Sequence, residues 1–245
     1  MNALRLKVRG ARERLRYGRW VRALRRELAR HDGTLVLDAP HRARLLGGAP
    51  RLRVFGTGEG DATFTLRIGR GVIVGPDCSL EVWARGTNAL ELGDGVELED
   101  ATRIHLRSGA VRLGAGAITR GHCLLKSDGE LVCGLATRIG HGSVIHCTER
   151  VELGDHAVVA ESATVIDSDH TWDEHGTPFL QLPVRVDPVL IGANTLVAAG
   201  ARVTRGARIG PGSLVAAGAV VLGGDYPAGS VLGGVPAAAL KAPAS

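Results

Sequence analysis

One histidine and two aspartates stand close enough together in the sequence to transfer a proton. The run VIDSDHTW at 165–172 contains Asp167, Asp169 and His170. A neutral imidazole, with an ordinary pKa near ~6.5, can take a proton from a hydroxyl group and return it to a departing group. Either carboxylate could orient the ring or raise its basicity, although a backbone carbonyl could do the same. A solvated loop histidine is the alternative, and the spacing alone favours neither.

The elements that must position these groups follow a six-residue period. An aliphatic residue returns at every sixth position: Ile191, Val197, Val203, Ile209, Val215 and Val221. A helix would repeat its apolar positions every three or four residues, so this spacing indicates short strands joined by tight turns. Small residues four places after each aliphatic fit an inward corner, and Gly or Asn three places after it can adopt positive φ. The pattern predicts a parallel β-solenoid of hexapeptide repeats.

The rest of the chain divides around this solenoid. Imperfect hexads extend it backwards, so the predicted β-helix covers 68–224. The repeats stop over 170–190, where prolines cannot donate sheet hydrogen bonds, and a protruding loop of this length is more often functional than accidental. Residues 33–67 are predicted to be an irregular transition segment. Residues 225–245 form a tail, in which Ala237 to Lys241 are expected to make a short C-terminal helix.

Positive charge is concentrated at the N-terminus. Residues 1–30 carry eleven Lys or Arg against two Glu, a net charge of +9, which leaves −4 for the remainder. A nucleic-acid groove along the solenoid is therefore not supported. Residues 1–32 are predicted to be a basic amphipathic helical arm, made of one helix or two short ones. The arm either covers the open end of the solenoid or contacts an anionic membrane.

Cysteine usage and hydropathy predict a cytoplasmic protein with peripheral membrane contact as an option. The four cysteines form no CxxC pair, and Cys78 and Cys123 fall at the small inward positions of the repeat. They are predicted to be small core residues in a reducing compartment. No apolar run reaches the ~18 residues of a membrane span, and the N-terminus lacks the pattern of a signal peptide.

Three features together resemble the hexapeptide-repeat acyltransferases, especially the sugar O-acetyltransferase branch. They are the hexads over 68–222, the histidine that ends a coil in VIDSDHTW, and the closing run YPAGSVLGGVPAAALK at 226–241 with its GVPA. The resemblance implies a single-stranded left-handed parallel β-helix and a homotrimer with active sites between subunits. It also implies acetyl-CoA as the acyl donor and no metal.

The same resemblance assigns roles to particular residues. It makes His170 the catalytic base and places Ala199 and Ala217 where relatives touch the pantetheine arm of coenzyme A. It places Lys241 where a cation meets the nucleotide phosphate. Small side chains suit a pantetheine arm, because it can approach a sheet only where little projects. The alternative for both alanines is that they simply follow the repeat rule.

A second set of histidines supports a different chemistry. His141 and His146 are separated by four residues and His105 lies two coils earlier, and three neutral imidazoles with a water molecule suit Zn²⁺. They look like the zinc triad of γ-class carbonic anhydrases, which share the solenoid but lack the GVPA tail and the histidine loop. Without a metal, His146 is expected to line an acceptor pocket, and His175 is expected at the loop surface or in contact with the acceptor.

The sequence therefore predicts an acyl-CoA-dependent O-acyltransferase. Acetyl is the expected acyl group, and a hydroxyl of a sugar or glycan precursor is the expected acceptor. His170 is the predicted base, with Asp167 and Asp169 beside it. A γ-class carbonic anhydrase-like zinc enzyme and a non-catalytic β-helix scaffold remain as alternatives.

Overall fold

The computed structural model describes residues 3–39, 41–56 and 62–241, with the side chains of 15–39, 41–56 and 62–240. One helix, α1 (Ala3–Ala29), precedes the strands. The first ten strands are β1 (Gly33–Asp38), β2 (Arg44–Leu45), β3 (Arg51–Gly56), β4 (Ala62–Ile68), β5 (Ile73–Val74), β6 (Ser79–Ala84), β7 (Thr87–Leu92), β8 (Glu97–Leu98), β9 (Arg103–Arg107) and β10 (Ala110–Leu113). The next ten are β11 (Ile118–Thr119), β12 (Leu124–Ser127), β13 (Glu130–Cys133), β14 (Arg138–Ile139), β15 (Val144–Cys147), β16 (Arg150–Leu153), β17 (Val158–Val159), β18 (Thr164–Ile166), β19 (Ser168–His170) and β20 (Val184–Val186). The last nine are β21 (Val189–Ile191), β22 (Leu196–Val197), β23 (Arg202–Val203), β24 (Ala207–Ile209), β25 (Leu214–Val215), β26 (Val220–Val221), β27 (Gly224–Tyr226), β28 (Val231–Gly234) and β29 (Ala237–Lys241).

Each coil of the solenoid gives one strand to each of three sheets. Sheet A contains β1, β4, β7, β10, β13, β16, β21, β24 and β27. Sheet B contains β2, β5, β8, β11, β14, β17, β22, β25, β28 and β29. Sheet C contains β3, β6, β9, β12, β15, β18, β23 and β26. The strands that the coils contribute pair in parallel, which confirms the predicted parallel β-helix.

The hexads stack as the sequence predicts. Equivalent aliphatic residues one coil apart are direct partners, as with Ile191 and Ile209 in sheet A and Val197 and Val215 in sheet B. The small residues of the repeat are buried beside them: Thr195, Ala201, Ala207, Ser213 and Ala219. The Gly/Asn positions adopt φ between 53° and 75°: Asn194, Gly200, Gly206, Gly212 and Gly218. The repeat therefore supplies both the narrow apolar core and the left-handed corners that close each coil.

The four cysteines are free and buried. Burial raises the pKa of the Cys78 and Cys123 thiols to about 11. Both are therefore uncharged core groups at neutral pH, as their place in the repeat predicts.

The solenoid begins earlier than the hexads indicate. Within the segment predicted to be an irregular transition, β1 pairs with β4, β2 with β5, and β3 with β6. The first coil therefore starts at Gly33. The sequence hides this coil because β1 and β3 expose much of their length, so the aliphatic period is weak there.

Helix α1 covers the open end of this first coil. Its apolar face, with Trp20, Leu24 and Leu28, joins the solenoid core. The helix is a single element rather than two short ones, and the arginines of its described side chains point away from the core. Among the described residues, no helix combines the length and apolarity that crossing a bilayer requires.

The predicted C-terminal helix is wrong. Residues Ala237–Lys241 form β29, which pairs antiparallel with β28. A run of five residues is too short to be stable as a helix by itself. The last strand of sheet B offers unpaired backbone groups, and the tail satisfies them by adding one more strand.

Candidate active site

His170 lies on a hairpin that leaves the solenoid. β19 pairs antiparallel with β20, and His170 stands opposite Val184. The backbone N–H and hydroxyl of Thr171 both donate to the carbonyl of Pro183, at 3.1 and 2.9 Å. The imidazole of His170 is exposed, and it has no hydrogen-bond partner among the described residues. The hairpin therefore fixes the backbone and leaves both ring nitrogens open to solvent in the single chain.

The carboxylate of Asp167 makes its hydrogen bonds with the preceding coil. Its side chain is fully buried. One carboxylate oxygen accepts the backbone N–H of Thr148 at 2.7 Å, and the other accepts those of Glu149 and Arg150 at 2.7 and 2.9 Å. The expectation that Asp167 orients His170 is therefore corrected. This carboxylate instead accepts the hydrogen bonds of the backbone N–H groups at the corner between β15 and β16. Its closeness to His170 in the sequence did not reveal this role.

Asp169 bonds forward to the following coil. Its Oδ1 accepts the Nε–H of Arg205 at 2.8 Å, and about half of its side chain is exposed. The carboxylate ties the base of the hairpin to the coil that resumes after the loop. It makes no hydrogen bond with the His170 ring in the described part of the chain.

Two of the predicted donor-site residues lie together at one corner. Ala199 and Ala217 are exposed at the corner between sheets B and C, one coil apart. The N–H of Gly218 donates to the carbonyl of Ala199 at 3.0 Å, which stacks the two turns. Gly200 and Gly218, both with φ of 68°, complete the turns without a side chain. Only methyl groups project here, so a narrow ligand could lie against the backbone.

The third predicted donor-site residue lies elsewhere on sheet B. The backbone of Lys241 pairs with Val231, and Val231 pairs with Leu214 at the start of its strand. Ala217 follows the other end of that strand. The backbone of Lys241 is therefore at the opposite edge of sheet B from the corner that carries Ala199 and Ala217. Its side chain lies outside the described residues.

A lysine separates the histidines of the zinc hypothesis. His105, Lys126 and His146 occupy one outward column of sheet C on successive strands. Two strand spacings put His105 and His146 roughly 10 Å apart, which is too far for one zinc ion within a chain. The ammonium of Lys126 lies 2.8 Å from Nε2 of His146. His141 lies on another part of the surface, at the corner that carries Ala199 two coils later. The described residues contain no group of three or more His, Cys, Asp or Glu placed to hold a metal.

Both sheet C histidines are held in the neutral form. Burial, and then the neighbouring ammonium of Lys126, lowers the pKa of His146. Burial also lowers the pKa of His105, with Arg103 and Lys126 adding to the effect against Glu81. Nε2 of a neutral His146 can accept a hydrogen bond from the ammonium of Lys126, which leaves the ammonium two further N–H donors.

These lowered pKa values predict a loss of stability in mild acid. Below the ordinary histidine pKa of ~6.5 these two histidines bind protons in the unfolded chain but remain neutral in the folded chain. Their contribution to the free energy of unfolding is therefore fully present above that pH and is lost as the pH falls. We expect the unfolding temperature measured by circular dichroism to decrease between pH 7 and pH 5. The variant His105→Gln/His146→Gln should lose less over this window, whereas His156→Asn, at an exposed position, should behave as wild type. An equal loss in the double variant would contradict the assignment.

The loop that carries His175 also presents large apolar side chains. His175 is exposed, and its backbone N–H donates to Asp173 at 3.0 Å. Trp172, Phe179 and Leu180 are 74%, 59% and 92% exposed. The sequence interpretation missed these residues and Lys126. The spacing of Lys126 from His105 and His146, one coil in each direction, was the signal that could have identified it.

Two solved structures share this architecture. The crystal structure of the polySia-specific acetyltransferase NeuO superposes with a TM-score of 0.55 and 20% identity, over 73% of this chain and 86% of that one. The S84A mutant of AntD, an N-acyltransferase from Bacillus cereus in complex with dTDP-4-amino-4,6-dideoxyglucose and coenzyme A, superposes with a TM-score of 0.54 and 19% identity, over 63% and 84% of the two chains.

Comparisons of sequence find no such neighbour. No family model matches the chain, and no curated protein matches it. At 19–20% identity the structural likeness is one of fold. The chain therefore has the solenoid fold that these two acyltransferases share.

Proposed function

We propose that the protein is an acyl-CoA-dependent O-acyltransferase, with acetyl as the acyl group and a sugar or glycan precursor as the acceptor. The observation that carries this proposal is the interruption of the solenoid between β18 and β21. The hairpin there presents an exposed imidazole at the corner between sheets C and A, and the next coil presents the bare corner at Ala199, between sheets B and C. The fold shared with an acetyltransferase and with an N-acyltransferase bound to coenzyme A supports the same chemistry.

In the proposed reaction His170 acts as general base. Its neutral ring takes the proton of the acceptor hydroxyl while the oxygen attacks the thioester carbonyl, giving a tetrahedral intermediate. Collapse of the intermediate breaks the carbon–sulfur bond, and the imidazolium returns the proton to the thiolate of coenzyme A. The products are the acylated acceptor and free coenzyme A. A backbone N–H is the proposed donor to the oxyanion.

The proposed active site lies between subunits of a homotrimer. The imidazole of His170 has no partner within the described chain, and the loop beside it exposes Trp172, Phe179 and Leu180. A neighbouring subunit packed on these side chains would exclude water from the hairpin and could supply the group that orients the ring. Asp169 then acts as a positioning residue, because its bond to Arg205 holds the hairpin against the coil of Ala199.

The bare corner is the proposed site of the pantetheine arm. A leucine at Ala217 should raise the Kd for coenzyme A about ten-fold or more, because its side chain fills the space that the arm would occupy. Stability should be unchanged, since Ala217 is exposed. Ala193→Leu, at a different corner of the solenoid, is the matched control. Calorimetric titration with coenzyme A checks the prediction, and unchanged affinity in Ala217→Leu would place the donor elsewhere. Lys241 remains a prediction from the resemblance.

The function is tested by thiol release from acetyl-CoA with a panel of sugars. The panel includes amino sugars, because AntD is an N-acyltransferase. We expect release that depends on the acceptor, together with a rise in unfolding temperature with acetyl-CoA concentration. A scaffold predicts neither result. A zinc enzyme predicts about one tightly held zinc per chain, with His146 and His105 among its ligands.

We also propose that α1 contacts an anionic membrane surface. Its described arginines are all exposed: Arg16, Arg19, Arg22, Arg25, Arg26 and Arg30. Deleting the helix would uncover the core, so Arg22→Gln/Arg25→Gln/Arg26→Gln is the sharper variant. At ~1 kcal/mol for each basic residue near an anionic surface, it should lower affinity for phosphatidylserine vesicles roughly 100-fold. Equal binding of the wild type to neutral phosphatidylcholine vesicles in flotation would contradict the proposal.

A further inference from the structure

Charged side chains on the outside of sheet A neutralise one another. Each arginine of one ladder lies between two carboxylates at 2.7–3.2 Å: Asp38, Arg67, Glu91, Arg112, Glu130, Arg150 and Glu152. Partners follow one another from coil to coil without interruption. This surface has the pairing expected of charges whose role is to hold neighbouring coils together.

Charges on the outside of sheet C form looser pairs, most of them too long to be hydrogen bonds. From β3 to β15, a surface that we call face C, Arg53 is 3.6 Å from Glu81, and Glu81 is 3.6 Å from His105. Arg107 is 4.0 Å from Asp128. None of these separations is a hydrogen bond. The ion pairs of face C are therefore looser than those of sheet A and leave hydrogen-bonding capacity free.

Several polar atoms of face C lack a partner among the described residues. Nε2 of His105 and Oδ1 of Asp128 are buried and make no hydrogen bond. The guanidinium of Arg103 is exposed and has no ion pair. Lys126 bonds only to His146, a neutral acceptor, and keeps two donors. Buried polar groups without partners are costly, so such a group indicates a ligand or functional role.

The charge of face C is opposite to that of the rest of the solenoid. Face C carries five basic residues and three acidic ones. The basic residues are Arg51, Arg53, Arg103, Arg107 and Lys126, and the acidic residues are Asp77, Glu81 and Asp128. The chain after residue 30 is net negative. A cavity of about 350 Å³, large enough for a sugar unit, lies over the first three strands between Arg51, Arg103 and His122. Among the arginines that line this cavity, Arg51 donates a hydrogen bond from Nη2 to Oδ1 of Asp77 at 3.2 Å.

An aromatic surface borders these charges. The rings of Phe55 and Trp83 lie 5.4 Å apart, and the guanidinium of Arg107 is 4.5 Å from the centre of the Trp83 ring. Phe55 is 37% exposed. A sugar ring has an apolar face that can pack on an aromatic side chain and polar edges that need hydrogen bonds. A partly exposed aromatic ring on the same face as the cations Arg103 and Lys126 therefore suits a carbohydrate that carries negative charge.

Face C leads to the hairpin of His170. His146 is the strand neighbour of Ile166, in the strand just before the hairpin. On the same side, the hydroxyls of Thr148 and Ser168 are 2.7 Å apart, and Ser168 begins β19. An elongated acceptor lying on face C would therefore extend towards the imidazole of His170.

We propose that face C binds the acceptor and that the acceptor is an acidic oligosaccharide, with carboxylate or phosphate groups along its length. The inference rests on the proposed acyltransferase function and adds the substrate class. Lys126 and Arg103 bind the acidic groups, and His146 positions the ammonium of Lys126. Phe55, which is partly exposed, packs against a sugar ring, and Trp83 and Arg107 support it from the following strands.

The test measures binding of oligosaccharides without catalysis. Hexamers of a uronic acid and of sialic acid, phosphorylated maltohexaose and neutral maltohexaose are titrated into the full-length His170→Ala protein by calorimetry. We expect at least one acidic class to bind about ten-fold or more tightly than maltohexaose, with the preference weakening as salt rises. The carboxylate and phosphate arms identify the acidic group. No preference for any acidic hexamer would overturn the inference.

Variants locate the binding to face C. Arg103→Met/Lys126→Met should abolish the acidic preference. Arg70→Met, which removes one charge from an exposed arginine outside sheet C, should retain it. The triple arginine variant of α1 should also retain it, which separates face C from the basic helix. Preference that survives in Arg103→Met/Lys126→Met, or that disappears equally in Arg70→Met, would overturn the inference.

The result is separable from the proposed function. Acetyl transfer to neutral sugars with no binding on face C would remove this inference and leave the enzyme assignment. Binding of an acidic hexamer without thiol release would leave face C as a carbohydrate site and remove the enzyme assignment.

Discussion

Replacing His170 with alanine should lower acetyl transfer about 10²–10⁴-fold, the usual contribution of a general base. The affinity for coenzyme A should be unchanged, because the proposed donor corner is formed by the backbone and alanines of the following coils. Stability should also be unchanged, since the side chain is exposed and makes no hydrogen bond in the described chain. Steady-state thiol release and calorimetry with coenzyme A check the two halves of the prediction.

His156→Asn is the matched control for this experiment. It removes another exposed imidazole from a corner of the solenoid, and asparagine tolerates the φ of 60° found there. Turnover in the control should equal that of the wild type. If His170→Ala retains full turnover, the imidazole is not the base and the proposed mechanism fails.

Replacing Asp167 with alanine should cause the larger structural effect. Three backbone N–H groups lose an ionised acceptor at a fully buried position, which we expect to cost roughly 2–4 kcal/mol of stability. Asn should be milder than Ala, because its carbonyl oxygen keeps part of the bonding. Thermal unfolding followed by circular dichroism measures the loss.

Asp169→Ala separates this structural role from a catalytic one. Asp169 is about half exposed and its ion pair with Arg205 is at the surface, so we expect it to contribute less than about 1 kcal/mol to stability. If the pair positions the hairpin, turnover should nevertheless fall, and Asp169→Asn should recover part of it. Equal destabilisation by Asp167→Ala and Asp169→Ala would contradict the assignment of the buried corner to Asp167.

The loose charge pairing of face C follows from the geometry of the solenoid. The partners of an outward side chain lie mainly in the coils directly before and after it. Alternating signs along one column, as in the ladder of Arg67 and Arg112, give complete pairing. The column of His105, Lys126 and His146 does not alternate in sign, so its pairing is incomplete within the described chain. A ligand or a second chain would supply the missing partners.

The sequence by itself determined the coil. Every sixth residue faces inward because a coil of three short strands returns the chain to the same place. The hexads from Ile191 to Val221 therefore predicted the strand partners, the buried small residues and the left-handed corners. The same pattern, by stopping, marked the hairpin that carries His170.

Only the tertiary structure decided where the remaining groups lie. Ala237–Lys241 forms a strand because the edge of β28 provides backbone groups for hydrogen bonding. Such groups belong to another strand and do not enter a prediction from local propensity. The side chain of Asp167 bonds to the corner of the previous coil, 17 to 19 residues away, rather than to its neighbour in sequence. The first coil, from Gly33, is defined by its pairing with β4 more than by its own pattern. Local periodicity fixes which face a side chain occupies, whereas its partner depends on which coil is stacked beside it.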